Sequence, residues 1–89
     1  MSDKPEIVLP IIHMNGTSAK SLIEERNMAY NALQEAYGFL KHMAPNGRDY
    51  YPEPGRMEKA TAQHLRRLSV IHDLMNELEF EIAEIDSPK

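Results

Sequence analysis

MEKATAQHLRRLSVIHDLMNELEFEIAEI, residues 57–85, decides the fold of this chain. Met57, Thr61, His64, Leu68, Ile71, Met75, Leu78, Ile82 and Ile85 recur in it at alternating steps of four and three. Such steps return to one side of a helix every two turns, so the spacing predicts one long helix with a coiled-coil-like seam. The polar members of the seam, Thr61 and His64, lie at its N-terminal end, and the aliphatic members lie at the far end. A helix is expected over 56–86, terminated by Asp86-Ser87-Pro88-Lys89.

Upstream, Leu22, Arg26, Ala29, Leu33, Ala36, Leu40 and Met43 follow the same alternation, with Tyr30, Tyr37 and Phe39 widening the apolar face. A first helix is expected over 17–44. Thr17 and Ser18 are good N-caps, Ser21 to Glu24 offers a second capping box, and Pro45 stops the helix. Two helices of about 27 to 30 residues, joined by a connection over 45–55, should lie antiparallel and reach roughly 40 Å from end to end. The expected fold is all-α: a two-helix hairpin in a single domain, preceded by an arm over 1–16. Within that arm residues 1–5 read as a disordered start. Glu6 to Met14 (EIVLPIIHM) is apolar and β-branched but interrupted by Pro10, which fits an extended arm or a short edge strand seeking a partner in another copy or in the hairpin itself.

The 89 residues make one domain at most, and a chain this short has a marginal core, so oligomerisation is a serious prior. It contains no cysteine, which excludes a disulfide framework, thiol chemistry and cysteine-ligated zinc. No apolar run approaches the roughly 20 residues of a membrane span, and the N-terminus lacks the pattern of a signal peptide. A soluble protein of the cytoplasm is expected. Residues 1–44 carry four basic and five acidic side chains, residues 45–67 five and three, and residues 68–89 one and six. A basic middle is thus followed by an acidic end. The net charge of −4 argues against general binding along a nucleic-acid backbone, while a small anion at the basic middle fits.

The connection between the helices carries the densest chemistry. Ala44-Pro45-Asn46-Gly47-Arg48-Asp49-Tyr50-Tyr51-Pro52 holds a guanidinium, a carboxylate and two adjacent phenols between two prolines. Asn46-Gly47 is expected to make a tight reversal with positive backbone dihedrals, presenting Arg48, Asp49, Tyr50 and Tyr51 in limited geometries. Arginine offers a planar fork for phosphate or carboxylate, and tyrosine offers a π face for a base together with a hydroxyl. Together these residue types suit a nucleotide. The same composition also admits a plain reading, in which Arg48 pairs with Asp49 or caps the preceding helix while the tyrosines close the hairpin end.

Three further candidates are weaker. Asn15, Thr17 and Ser18, in His13-Met14-Asn15-Gly16-Thr17-Ser18, could form a small anion site at the start of the first helix, or simply an ordinary N-cap after a glycine turn. Arg26, the one charged residue in its seam, needs a carboxylate or an anionic ligand, and Glu77 or Asp73 on the facing helix could satisfy it internally. His64 reads as a hydrogen-bonded core residue; with His42 and His72 expected at the surface, no metal and no cofactor is assigned. No serine-histidine or paired-carboxylate spacing forces catalytic proximity, and a slim hairpin encloses little volume, so the chain reads as a binder and not an enzyme.

In an antiparallel hairpin the Asn15 to Ser18 corner and the Arg48 to Tyr51 turn lie at opposite ends. A head-to-tail or antiparallel pair of chains would bring them together and set the basic turn of one copy near the acidic tail of the other. A homo-oligomer with ligand sites between subunits is therefore expected.

The signatures His13-x-Asn15-Gly16-Thr17-Ser18 and Pro45-Asn46-Gly47-Arg48-Asp49-Tyr50-Tyr51-Pro52 resemble those of small phage and prophage helical-hairpin proteins, over Ile11 to about Ile85. The resemblance implies an inhibitor of bacterial defence. By analogy with sponges that hold immune signals at subunit interfaces without degrading them, the expected ligand is a cyclic nucleotide or an ADP-ribose derivative. Two rival expectations stand beside it. One is an anti-CRISPR-like inhibitor that presents Glu77, Glu81 and Glu84 to a basic host defence protein. The other is a self-assembling virion or accessory protein.

Overall fold

The computed structural model describes residues 6–87, so residues 1–5, read above as a disordered start, lie outside the described residues. Two long helices make up the fold: α1, Ala19–Lys41, and α2, Arg56–Asp86. They pack antiparallel. Arg26 meets Glu81, and further along α1 Tyr37 meets His72, so sequence rises on one helix as it falls on the other. The overall extents are 62 × 30 × 19 Å, those of a long, thin body.

Local chemistry sets the ends of α1. Ser18 is its N-cap, with its hydroxyl oxygen accepting from the Ser21 amide at 3.1 Å, so Ser21 sits inside the first turn and cannot itself cap. The helix ends at Lys41, short of the expected 44. Ala44 precedes Pro45 and is steered away from helical dihedrals, and the last amides tighten onto carbonyls three residues back: His42 onto Phe39, Met43 onto Leu40 and Ala44 onto Lys41. α1 is therefore 23 residues long against 31 for α2, not the near-equal pair the spacing suggested. The first turns of α2 run past the end of α1. Met57, Ala60, Thr61 and His64 are half-buried there, although α1 has already ended.

The seam of α2 lies where the spacing put it, every member being at least half-buried. The seam of α1 does so in part. Leu22, Arg26, Leu33 and Leu40 are half-buried as expected, together with Ala19, Ile23, Tyr30 and Tyr37, whereas Ala29, Ala36 and Met43 are exposed. The helix is rolled toward its tyrosines, because burying a phenol ring removes far more apolar surface from water than burying a methyl group.

No strand forms among the described residues. Glu6 to Ile12 have no regular secondary structure; Ile7, Leu9 and Pro10 are half-buried while Val8, Ile11 and Ile12 are exposed. Within the described residues only Met75 is a buried apolar side chain, at 8% exposure. Fully burying one such side chain is worth about 1.5–3 kcal/mol, small beside the cost of ordering two long helices.

Candidate functional site

The connection between the helices is built from successive turns. Asn46 accepts the Arg48 amide on its side-chain oxygen at 2.9 Å and so caps a short 3-10 turn over Gly47–Asp49. The Gly47 carbonyl then accepts the amides of Tyr50 and Tyr51, at 3.1 and 3.0 Å. Further on, the Glu53 amide reaches the Tyr50 carbonyl and the Arg56 amide reaches the Glu53 carbonyl. Asn46 has φ −108°, and Gly55, at φ 84°, is the one described residue with a positive φ. The expected reversal with positive dihedrals at Asn46-Gly47 is thus replaced. Capping by Asn46 makes a tight right-handed turn, and the left-handed residue falls at Gly55, where the chain enters α2.

Tyr50, half-buried, lines a cleft of about 330 Å³ with Glu53, Arg56, Lys59, Ala60 and Gln63. Arg56, Lys59 and Gln63 follow each other at helical spacing, so the first two turns of α2 present one polar face beside the phenol. Arg56 also pairs with Glu53 at 2.8 Å, a surface contact of little energetic weight because both side chains are more than half exposed. Gly55 caps α2 without a side-chain hydrogen bond, and the Arg56 amide is taken up by the Glu53 carbonyl.

Arg48 and Asp49 are exposed, and the two ion pairs among the described residues are Arg26–Glu81 and Arg56–Glu53. The plain reading in which Arg48 pairs with Asp49 therefore does not describe this turn. Tyr51 is 79% exposed, a phenol ring in solvent on the same loop. Reading the sequence identified Tyr50 and its neighbours but passed over Arg56, Lys59 and Gln63. Their i, i+3, i+7 spacing directly after Pro52-Glu53-Pro54-Gly55 was the available signal.

The other expected site residues lie elsewhere. His13 to Ser18 forms a turn closed by the Gly16 amide on the His13 carbonyl at 3.1 Å. The His13 ring stands over Gly16, where an added Cβ would come within 2.7 Å of its Nε2. Asn15, Thr17 and Ser18 in that turn are exposed, and the length of α1, roughly 35 Å at 1.5 Å per residue, separates them from the Tyr50 cleft. One chain does not bring the two clusters together.

Arg26 is satisfied inside the hairpin. Its Nε donates to Glu81 Oε1 at 2.7 Å and its Nη1 to the Leu22 carbonyl at 3.2 Å, so the partner is Glu81 in place of the expected Glu77 or Asp73. This pairing also breaks up the expected acidic docking face: Glu81 is engaged, Glu77 is half-buried, and of the three only Glu84 is exposed.

A second hollow, about 310 Å³, opens between the helices at Asn27, Tyr30, Glu79, Ile82 and Ala83. There the Tyr30 phenol is raised above its usual 10.0, first by burial and then by the negative charge of Glu79. Further along that face Tyr37 and His72 lie with ring centres 6.2 Å apart, and the Lys41 ammonium stands 5.4 Å from the Tyr37 ring. Among the described residues no helix is long and apolar enough to cross a membrane. The chain matches no protein-family model, no curated protein and no solved structure.

Proposed function

We propose that this chain is a phage-type binding protein that sequesters a small anionic ligand of the nucleotide immune-signal class and leaves it chemically unchanged. The observation that carries the reading is the Tyr50 cleft: an aromatic ring beside Glu53, Arg56, Lys59 and Gln63, on the same loop as an exposed Arg48 that has no ion-pair partner among the described residues. Phosphate would sit against the cations, where charge-assisted hydrogen bonds are strongest. A base would stack on a phenol, with Tyr51 presenting the exposed face and Tyr50 the cleft wall. The cleft is open and shallow, which suits holding a ligand better than reshaping one. Arg26, engaged with Glu81, keeps a structural role in this reading.

Isothermal titration with a cyclic dinucleotide tests it. Arg48→Ala and Lys59→Ala are each expected to weaken binding at least tenfold, the equivalent of about 1.5–3 kcal/mol for a hydrogen bond to a charged group, with helicity by circular dichroism unchanged. Affinity that survives both substitutions would remove the turn end from the site.

A further inference from the structure

The two broad faces of the hairpin differ in kind. On one side lie Tyr30 with Glu79 and Tyr37 with His72. On the other, Leu40 of α1 meets Arg66, Arg67, Val70 and Ile71 of α2 across a shallow hollow of about 240 Å³. Around that hollow the surface is apolar and open. Val70 is 55% exposed, Leu74 41% and Phe39 66%, while Ala29, Ala32 and Ala36 form an exposed small-residue strip along α1. This strip is the half of the α1 periodicity that the hairpin leaves unused.

Arg67, Val70, Leu74 and Glu77 follow one another along this face of α2 in steps of three, four and three, with Glu77 half-buried at its edge. This order is self-complementary about His72. Val70 and Leu74 lie two residues either side of His72, and Arg67 and Glu77 five residues either side. A two-fold axis pairs residues at equal distances either side of it, so each of these unlike pairs would form twice. We infer that this face is the docking surface for a second copy of the chain, laid antiparallel so that α2 crosses α2 at the level of His72, whose ring lies on the opposite face with Tyr37, and with Val70 on Leu74 and Arg67 on Glu77 of the other copy. The alanine strip lets the two α1 helices approach closely beside it. Opposite charges then meet at both ends of the apolar centre, whereas a parallel pairing would set like charges against each other.

This register has a consequence for the site, and that consequence rests on the nucleotide-binding reading given above. Asp86 and Glu58 lie fourteen residues either side of His72, so the C-terminal end of α2 in one copy comes level with the start of α2 in the other. The Thr17–Ser18 corner, beside that C-terminal end, then arrives near Gly55 and Arg56 of the second copy. Each ligand site would be closed by hydroxyls from the neighbouring chain, which no single chain can supply.

A charge swap tests the docking on the full chain without ligand. Sedimentation velocity should find a dimer of the 10.2 kDa chain. Arg67→Glu and Glu77→Arg alone should each weaken it at least tenfold, and the double swap should restore it. A monomeric wild type, single reversals without effect, or a double variant as weak as the singles would each overturn the proposal. Titration with cyclic dinucleotide separates the two readings: a swap-rescued dimer that binds nothing leaves the docking intact and removes the ligand, and binding by a chain that fails the swap does the reverse.

Discussion

At Gly55 the backbone takes φ 84°, a region costing an L-residue roughly 1–2 kcal/mol, and the adjacent residue opens α2 with the cation that lines the Tyr50 cleft. Gly55→Ala is therefore expected to lower stability by about 1–2 kcal/mol, read from the urea midpoint, and to weaken ligand binding as Arg56 shifts with the helix start. Which glycine needed this freedom was not legible in the sequence. Asn46-Gly47 is the stronger turn signal by composition, but the Asn46 side chain captured the Arg48 amide and removed the need for a left-handed residue there. Arg26 was legible as a seam charge requiring a carboxylate or an anionic ligand, and the hairpin supplies the carboxylate. Its choice of Glu81 over neighbouring acids depended on how the two helices settle against each other, which spacing alone does not set.

The helices themselves were legible, because steps of four and three sustained over α2 admit no other regular structure. Their lengths and roll were less so. In α1 the alanines extend the apolar pattern around the helix, so two overlapping seams satisfy the same alternation, and the larger tyrosines decide which one is buried. That roll places Tyr30 against Glu79 and has a measurable signature. Because the folded chain holds the Tyr30 proton more tightly than the unfolded chain, this contribution is constant below about pH 10 and is lost as pH rises from the unfolded value toward the raised folded one. Tyr30→Phe should flatten the alkaline fall in stability, measured as the change in urea midpoint between about pH 9 and pH 11; an unchanged slope would place Tyr30 outside the packed seam.

Over the whole molecule, a body 62 Å long with a single buried apolar side chain among its described residues is a hairpin that leaves much of its apolar periodicity in solvent. In the proposed dimer, the same surface that weakens it as a single chain becomes the contact between copies. Its ends differ in charge and composition: turn, phenols and cations at one, the Asn15–Ser18 corner and the acidic residues at the other. The sequence disclosed that polarity through its charge blocks. It could not disclose that the connection folds beside the first turns of α2, where Tyr50 and Gln63 line one cleft beyond the end of α1 at Lys41. Native mass spectrometry of the chain incubated with cyclic di- and trinucleotides and ADP-ribose derivatives reads stoichiometry and bound mass together. A discrete dimer carrying unmodified nucleotide is expected; a chain that stays bare across the whole panel, or that releases a cleaved product, would overturn sequestration.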